Sequence, residues 1–274
     1  MLYLIATPIG HLDDISQRAL DTLKSCELIF CEDTRRSSIL LNRYNIRKPL
    51  VSYHKFNEKR GLENLLSHLE SGMKIALISD AGTPCINDPG QILVTACIEK
   101  KIPFTLIPGP CSPILALVLS GMDSSHFQYI GFLPKSGLQK TLLQALCFPG
   151  TTIAFESPSR LIHTLQEIQT LDPERNIAIA REMTKTYEEC RRGSPQDLLA
   201  HFQSCPPKGE IVLVIAKGNL PHKDISLEEC IEMLQSLHGL SLKEAIKVAA
   251  HIKKVPKRNV YNSIHSFKKI QKFG

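Results

Sequence analysis

The sequence predicts an α/β protein of two lobes followed by a small, basic, helix-turn-helix-like module. Three observations carry this. Short apolar runs alternate with helix-patterned stretches as far as Ala216, the rhythm of βα units. Several runs (LYLIA, IALIS, IVLVIA) are continuously apolar, as strands covered on both faces must be. Beyond the KGNLPHK stretch at Lys217–Lys223 the pattern changes to short amphipathic helices rich in lysine.

Taken in order, the runs predict strands at Leu2–Ala6, Glu27–Cys31, Leu50–Ser52, Lys74–Ser79 and Phe104–Ile107, then at Phe127–Gly131, Thr151–Glu156, Asn176–Arg181 and Glu210–Ala216. Helices are expected at Asp14–Ser25, Thr34–Tyr44, Asn57–Glu70, Gln91–Lys101, Pro113–Ser120, Pro158–Gln169 and Pro195–Phe202. The alternation implies mainly parallel sheets. The Pro- and Gly-rich stretch Pro103–Pro113 reads as a hinge between lobes, which divides the chain into 1–115, 116–220 and 221–274. In the last part, helices are expected at Leu227–Leu237, Leu242–His251 and Lys257–Phe267. Ser226 with Glu229 and Ser241 with Glu244 have the spacing of capping boxes. The turn His238-Gly239 between the first two suggests a helix-turn-helix.

Composition narrows the function classes. The 274 residues suit two domains and a small extra module at roughly 150 residues per domain. Apolar residues make up 43% and charged residues 22%, which excludes wholesale disorder. No apolar run approaches the roughly 20 residues of a membrane span, and MLYLIATPIG lacks the basic start of a signal peptide. The nine cysteines are odd in number and never spaced CxxC, which argues against a disulfide framework or zinc ribbon and for a reducing cytoplasm. The ten histidines show no metal-ligand spacing, so no metal is expected. From Pro221 to Gly274, nine Lys and one Arg face one Asp and four Glu, a net +5 of the chain's +6. A basic terminal module points to a polyanion, nucleic acid first.

Familiar signatures are absent: no nucleotide-binding GxGxxG follows the first strand, and there is no P-loop GxxxxGK[ST], hydrolase GxSxG elbow or zinc-binding HExxH. Three loops at predicted strand ends nevertheless carry unusual turn chemistry: Ala6-Thr7-Pro8-Ile9-Gly10, Ser79-Asp80-Ala81-Gly82-Thr83-Pro84 and Pro108-Gly109-Pro110-Cys111-Ser112-Pro113. Open α/β sheets bind ligands at the carboxyl ends of strands, and Gly and Pro let a backbone turn sharply beside one. Asp80 is suited to a ribose hydroxyl or an ammonium group. Any one loop alone is read more economically as a tight βα turn; three in one half-chain favour a site. Glu156 and Glu182 follow apolar strands in the second half, where a ligand contact competes with a helix-capping role for Glu156-Ser157. Glu32-Asp33-Thr34-Arg35 ends the second strand, with an N-cap and local ion pairing as the plain alternative.

LYLIATPIG, EDTR, VSYH, SDAGTP, PGP, GFLP, ESP, AREMTK and GEIVLVI occur in that order. This set resembles the ribosomal RNA small subunit methyltransferase I family, of the tetrapyrrole methylase superfamily, over residues 2–217. The resemblance implies 2′-O-methylation of a cytidine ribose in the decoding region of 16S rRNA. It further implies S-adenosylmethionine as cofactor in a cleft between two tetrapyrrole methylase-like lobes, a cytoplasmic homodimer, and the small ribosomal subunit as partner. By position, Pro8, Ile9, Asp80, Gly82, Thr83, Ser112 and Pro113 would hold the cofactor from the first lobe, and Phe155, Glu156 and Gly209 from the second. The chain departs from the family at His11 (usually Asn), Cys111-Ser112 (usually Ser-Ala) and Ser159 (usually His), none of which removes a group the chemistry requires.

A 2′-hydroxyl must lose its proton to attack a methyl group, so a base or a cation beside the developing alkoxide is expected. Glu182, Lys185, Asp33 and Arg35 are the candidates by strand-end position. Lys243, Lys247, Lys253, Lys254, Lys257 and Arg258 would grip RNA phosphates from the tail. Two alternatives stand beside this reading: a uroporphyrinogen or precorrin C-methyltransferase, and a non-catalytic rRNA-binding assembly protein.

Overall fold

The computed structural model describes residues 1–218, 227–238, 240–252 and 255–261. The chain divides into two compact units after Gly218.

In the first unit, strands β1 (Leu2–Ile5), β2 (Leu28–Cys31), β3 (Leu50–Ser52), β4 (Ile75–Ile78) and β5 (Phe104–Ile107) form one sheet in the order β3-β2-β4-β1-β5, every pair parallel. The continuous apolar runs are explained by two cores. Leu2, Leu4, Phe30, Ile75 and Leu77 pack on α3 (Glu58–Glu70) and α4 (Gln91–Glu99). The alternate residues Ile5, Ile29, Cys31, Ala76 and Ile78 pack on α1 (Gln17–Ser25) and α2 (Thr34–Arg43). A strand buried on both faces has no polar positions to alternate. Helix α1 begins later than its pattern suggests, because a 3-10 turn at Leu12–Asp14 precedes it and Ser16 accepts the Ala19 N–H as its cap.

The second sheet has the order β6-β7-β10-β8-β9, built from β6 (Phe127–Phe132), β7 (Thr151–Glu156), β8 (Ile177–Arg181), β9 (Glu189–Gly193) and β10 (Ile211–Ile215). Only β6 and β7 pair in parallel; the other three pairs are antiparallel. Mainly parallel pairing therefore holds for the first sheet and not for the second. The difference lies in β9, a charged strand (ECRRG) with no apolar run to announce it, which turns the chain back along β8. Helices α6 (Leu138–Cys147), α7 (Pro158–Leu171) and α8 (Pro195–Ser204) cover one face of this sheet. Helix α6 is a second element outside the expected set, although Leu138, Leu142, Ala145 and Leu146 have helical spacing and are all buried.

The other face of the second sheet is covered by α5 (Ser112–Ser120), whose Ala116 and Leu117 pack on Ile153, Ala178, Ala180, Val212 and Val214. Residues 115/116 lie inside this helix. The segment from β5 into α5 thus passes from one sheet to the other and brings the carboxyl ends of the first sheet beside the second.

In the second unit, α9 (Leu227–His238) and α10 (Leu242–Ile252) pack through Cys230, Ile231, Ala245 and Ala249, and residues 257–261 are helical. Ser241 and Glu244 form the expected capping box: Ser241 N–H donates to Glu244 Oε2 at 3.0 Å and Glu244 N–H to Ser241 Oγ at 3.4 Å. Ser226, Gly239, Lys253, Lys254 and the end of the expected third helix lie outside the described residues. No helix among the described residues is long and apolar enough to cross a membrane.

Candidate active site

The three unusual loops meet. Thr7 and Gly82 exchange backbone hydrogen bonds at 2.9 and 3.0 Å, joining the loop after β1 to the loop after β4. Thr83 Oγ1 donates to Pro110 O at 3.0 Å and joins that loop to the one opening α5. Gly82 has φ +81°, and a Cβ there would lie 3.3 Å from Ile9, so both backbone conformation and space favour glycine. Together these loops form the floor of a cleft of about 440 Å³, within the range of small-molecule sites.

Ile9, Asp80, Gly82 and Thr83, with Ser112 and Pro113, line the cleft from the first sheet and α5. Phe155, Glu156 and Gly209 line it from the second sheet, joined by Phe132, Met183 and Val212. Pro8 is buried and is not part of this wall. The Glu156 carboxylate itself is taken up inside the lobe: it accepts the Thr164 hydroxyl at 2.6 Å and the Ser157 N–H at 2.7 Å, with Arg160 at 3.4 Å. Its role is closer to the capping alternative, holding the start of α7.

Asp80 links β2 to β4. Its Oδ1 accepts the Asp33 N–H at 3.0 Å, and its Oδ2 lies 3.4 Å from Arg36. Glu32 and Asp88 line the cleft beside it. Burial, and then the charge of Asp80, pushes Glu32 above its ordinary value. Asp88 rises to about 7, driven by burial and then by Glu32, with Asp80 and Glu210 adding and the Ser79 hydroxyl opposing. Sequence reasoning missed both Asp88 and Arg36. For Asp88 the signal was the Asn87-Asp88-Pro89-Gly90 turn, which continues the turn chemistry of the Ser79–Pro84 loop.

The four catalytic candidates do not line the cleft. Asp33 caps α2 by accepting the Arg35 N–H at 2.9 Å, and the Arg35 side chain folds back onto it at 2.7 Å. The Arg35 guanidinium holds the Asp33 carboxyl down at about 2. Glu182 and Lys185 instead close a ring at the rim: Glu182 Oε1 accepts the Glu210 N–H at 2.9 Å, and Lys185 Nζ reaches Glu182 Oε1 and Glu210 Oε2, each at 3.0 Å. Burial pushes the Glu182 carboxyl up, but the Glu210 N–H and Lys185 ammonium outweigh it and hold it below its usual range. Burial pushes Lys185 down, and the Glu210 and Glu182 carboxylates more than reverse this. An ammonium held protonated in this way is no proton acceptor at neutral pH.

The lobes touch on both sides of the cleft. The His11 N–H donates to Thr184 Oγ1 at 3.0 Å, and the Tyr129 hydroxyl donates to Asn87 Oδ1. Cys85, Asn87, Glu182 and Thr184, all in these bordering loops, have positive φ without being glycine. Such strain concentrates where a ligand site is over-determined by its surroundings. The described tail residues Lys243, Lys247, Lys257 and Arg258 are all exposed.

Two five-stranded sheets meeting at a cleft of strand-end loops define a protein of the tetrapyrrole methylase fold. Residues 1–199 match the family model for tetrapyrrole (corrin/porphyrin) methylases. Among solved structures, a diphthine synthase superposes with a TM-score of 0.64 at 12% identity, covering 79% of this chain and 90% of its own. The uroporphyrin-III-C-methyltransferase of Thermus thermophilus does so with a TM-score of 0.56 at 20% identity, covering 79% and 94%. Curated relatives are closer. The ribosomal RNA small subunit methyltransferase I of Synechocystis is 43% identical over 95% of this chain and 96% of its own. The protein of the same name from Escherichia coli O157:H7 is 40% identical over 95% and 93%. The chain belongs to the ribosomal RNA small subunit methyltransferase I family, and it is a methyltransferase.

Proposed function

We propose that this chain methylates ribosomal RNA of the small subunit, using S-adenosylmethionine, at the ribose 2′-oxygen of a cytidine in the decoding region. It would act as a cytoplasmic homodimer on the assembled subunit. The observation that carries the reading is the cleft itself, which joins an apolar wall (Ile9, Phe132, Phe155, Met183) to a carboxylate group (Glu32, Asp80, Asp88). That pairing fits the cofactor: apolar side chains suit an adenine ring, and carboxylates suit ribose hydroxyls and the positive charges of an ammonium and a sulfonium.

When bound, the cofactor supplies an electrophilic methyl group that leaves a neutral thioether behind. The chain must then orient the hydroxyl and take its proton. Asp88 is the proton acceptor this cleft offers, since it lines the wall and its affinity for a proton is matched to neutral pH. Glu182 and Lys185 act as positioning residues that fix the start of β10, and Arg35 remains available at the rim as an RNA contact. In the tail, Lys243, Lys247, Lys257 and Arg258, with Lys253 and Lys254, would add phosphate contacts.

The test uses radiolabelled S-adenosylmethionine and small subunits lacking the modification. Label recovered as 2′-O-methylcytidine in 16S rRNA is the expected outcome. Label on uroporphyrinogen III instead would favour the tetrapyrrole alternative. Cofactor binding without transfer to either would move the search to another acceptor. Removing residues 222–274 should weaken RNA binding and flatten its salt dependence while cofactor binding persists.

A further inference from the structure

A second concavity, of about 550 Å³, opens on the α8-covered face of the second sheet, opposite α5. Alternation along β8 puts Arg181 on the face of Ile177 and Ile179, which pack on α8, whereas Ala178 and Ala180 face α5. Arg181 therefore stands at the same strand end as the cleft but on the helix-covered side. It is joined there by Glu189 and Arg191 of β9, His201 of α8, and Lys208.

These side chains form an ordered cluster. Arg181 Nε donates to Glu189 Oε2 at 2.6 Å, and Arg191 Nε donates to Glu189 Oε1 at 2.5 Å. His201 Nε2 lies 3.4 Å from Glu189 Oε1. Burial works to raise the Glu189 carboxyl, but Arg191 and Arg181 hold it below its ordinary value, so it stays charged at neutral pH. One carboxylate thus fixes two guanidiniums by their Nε edges. Their terminal amino groups remain as donors, with one long contact from Arg181 Nη1 to Lys208 O at 3.5 Å. Two arginines and a lysine against one glutamate leave the pocket net positive. Guanidinium forks held in place match the geometry of phosphate oxygens, and less rotamer entropy is lost on binding than for free arginines.

The pocket is continuous with the cleft along the chain. Lys208 immediately precedes Gly209 and Glu210, and Arg181 lies two residues before Met183, all three of which line the cleft. We propose that this pocket binds backbone phosphates of the RNA strand whose target nucleotide enters the cleft. The strand crosses the end of the second sheet over residues 208–210 and is held by Arg181, Arg191 and Lys208. The contacts position the strand without reading bases. This inference rests on the RNA reading above.

The test is fluorescence anisotropy of the full-length protein with a labelled single-stranded RNA over a range of salt, beside calorimetry with S-adenosylmethionine. The double variant Arg191→Glu/Lys208→Glu should weaken RNA binding at least about tenfold. It should also lower the slope of log affinity against log salt by about 1, as the loss of one to two phosphate contacts predicts. Cofactor affinity should be unchanged. A control of equal charge, Lys24→Glu/Lys74→Glu, alters exposed residues in the last turn of α1 and just before β4, away from the carboxyl ends of the strands that form the cleft. It should stay close to the unmodified protein. Equal losses in both variants, or none in the pocket variant, would overturn the pocket as a phosphate site. An unmodified protein that binds neither this RNA nor isolated small ribosomal subunits would overturn the RNA reading itself.

Discussion

Glu182 accepts the backbone N–H of Glu210 at 2.9 Å, across the turn that follows β8 and the residue before β10. Between them in space stands Gly209, with φ +83°, where a Cβ would collide with the Glu182 carboxylate. Gly209→Ala is therefore expected to destabilise the protein by about 2 kcal/mol or more, from strain and overlap together. Because Gly209 lines the cleft, cofactor affinity should fall with it. Urea denaturation and calorimetry check the two effects. Glu182→Gln keeps an acceptor for the N–H and removes only the charge opposite the partly buried Lys185, whose ammonium retains Glu210 Oε2 at 3.0 Å, so its cost should stay within about 1.5 kcal/mol.

The Asp88 carboxyl should govern the acid limb of the rate. With a value raised to about 7, it holds its proton below that pH and can accept one above it. The ratio kcat/KM, which reports the free enzyme, should fall as pH drops through 7, and kcat only at a lower pH, because a bound cation favours the charged carboxylate. Asp88→Asn should lose most activity and flatten that limb while still binding cofactor. A variant that keeps both the rate and the pH dependence would remove Asp88 from the chemistry.

Cofactor binding should also release protons. Burial keeps Glu32 and Asp88 above their ordinary values, helped by Asp80 at Glu32 and by Glu32 at Asp88, and a bound cation near them favours their charged forms. By linkage, affinity for S-adenosylmethionine should rise as pH increases through 7, whereas the neutral demethylated product should show less dependence. Calorimetry in buffers of differing ionisation enthalpy measures the proton count directly. Asp88→Asn should reduce it.

Tyr129 and Asn87 hold the lobes together on one side of the cleft. Burial raises the Tyr129 hydroxyl above its ordinary value, which keeps it a donor at neutral pH. Tyr129→Phe leaves the ring stacked edge-on against Phe155, at 5.3 Å between centroids, and removes only the hydroxyl. The expected loss is about 1 kcal/mol, felt as weaker cofactor binding more than as lower melting temperature.

Arg175 provides a contrast away from the site. It is buried, and its guanidinium reaches Asp172 at 2.7 Å and the carbonyls of Ala216 and Leu146 at 2.8 and 3.0 Å. Arg175→Ala should cost roughly 3 kcal/mol or more, because it strands buried acceptors. Thermal unfolding should register this with little change in cofactor affinity per folded molecule.

By itself the sequence determined the elements whose signal is local. Doubly buried strands declare themselves as unbroken apolar runs, and loops such as Ser79–Pro84 by the turn chemistry of their own residues. The order of motifs was enough to indicate the family. The tertiary structure decided what depends on partners distant along the chain. Strand β9 has no apolar signature, since pairing with β8 and the grip of Arg181 on Glu189 hold it, and so the antiparallel half of the second sheet was not legible. Glu182 and Lys185 look like catalytic groups at a strand end until Glu210, 25 to 28 residues on, takes up their charges. Asp88 looks like an ordinary turn residue until Glu32 and Asp80 arrive beside it in a buried cleft. A side chain's charge state and role are set by the field of its neighbours, and only folding brings those neighbours together.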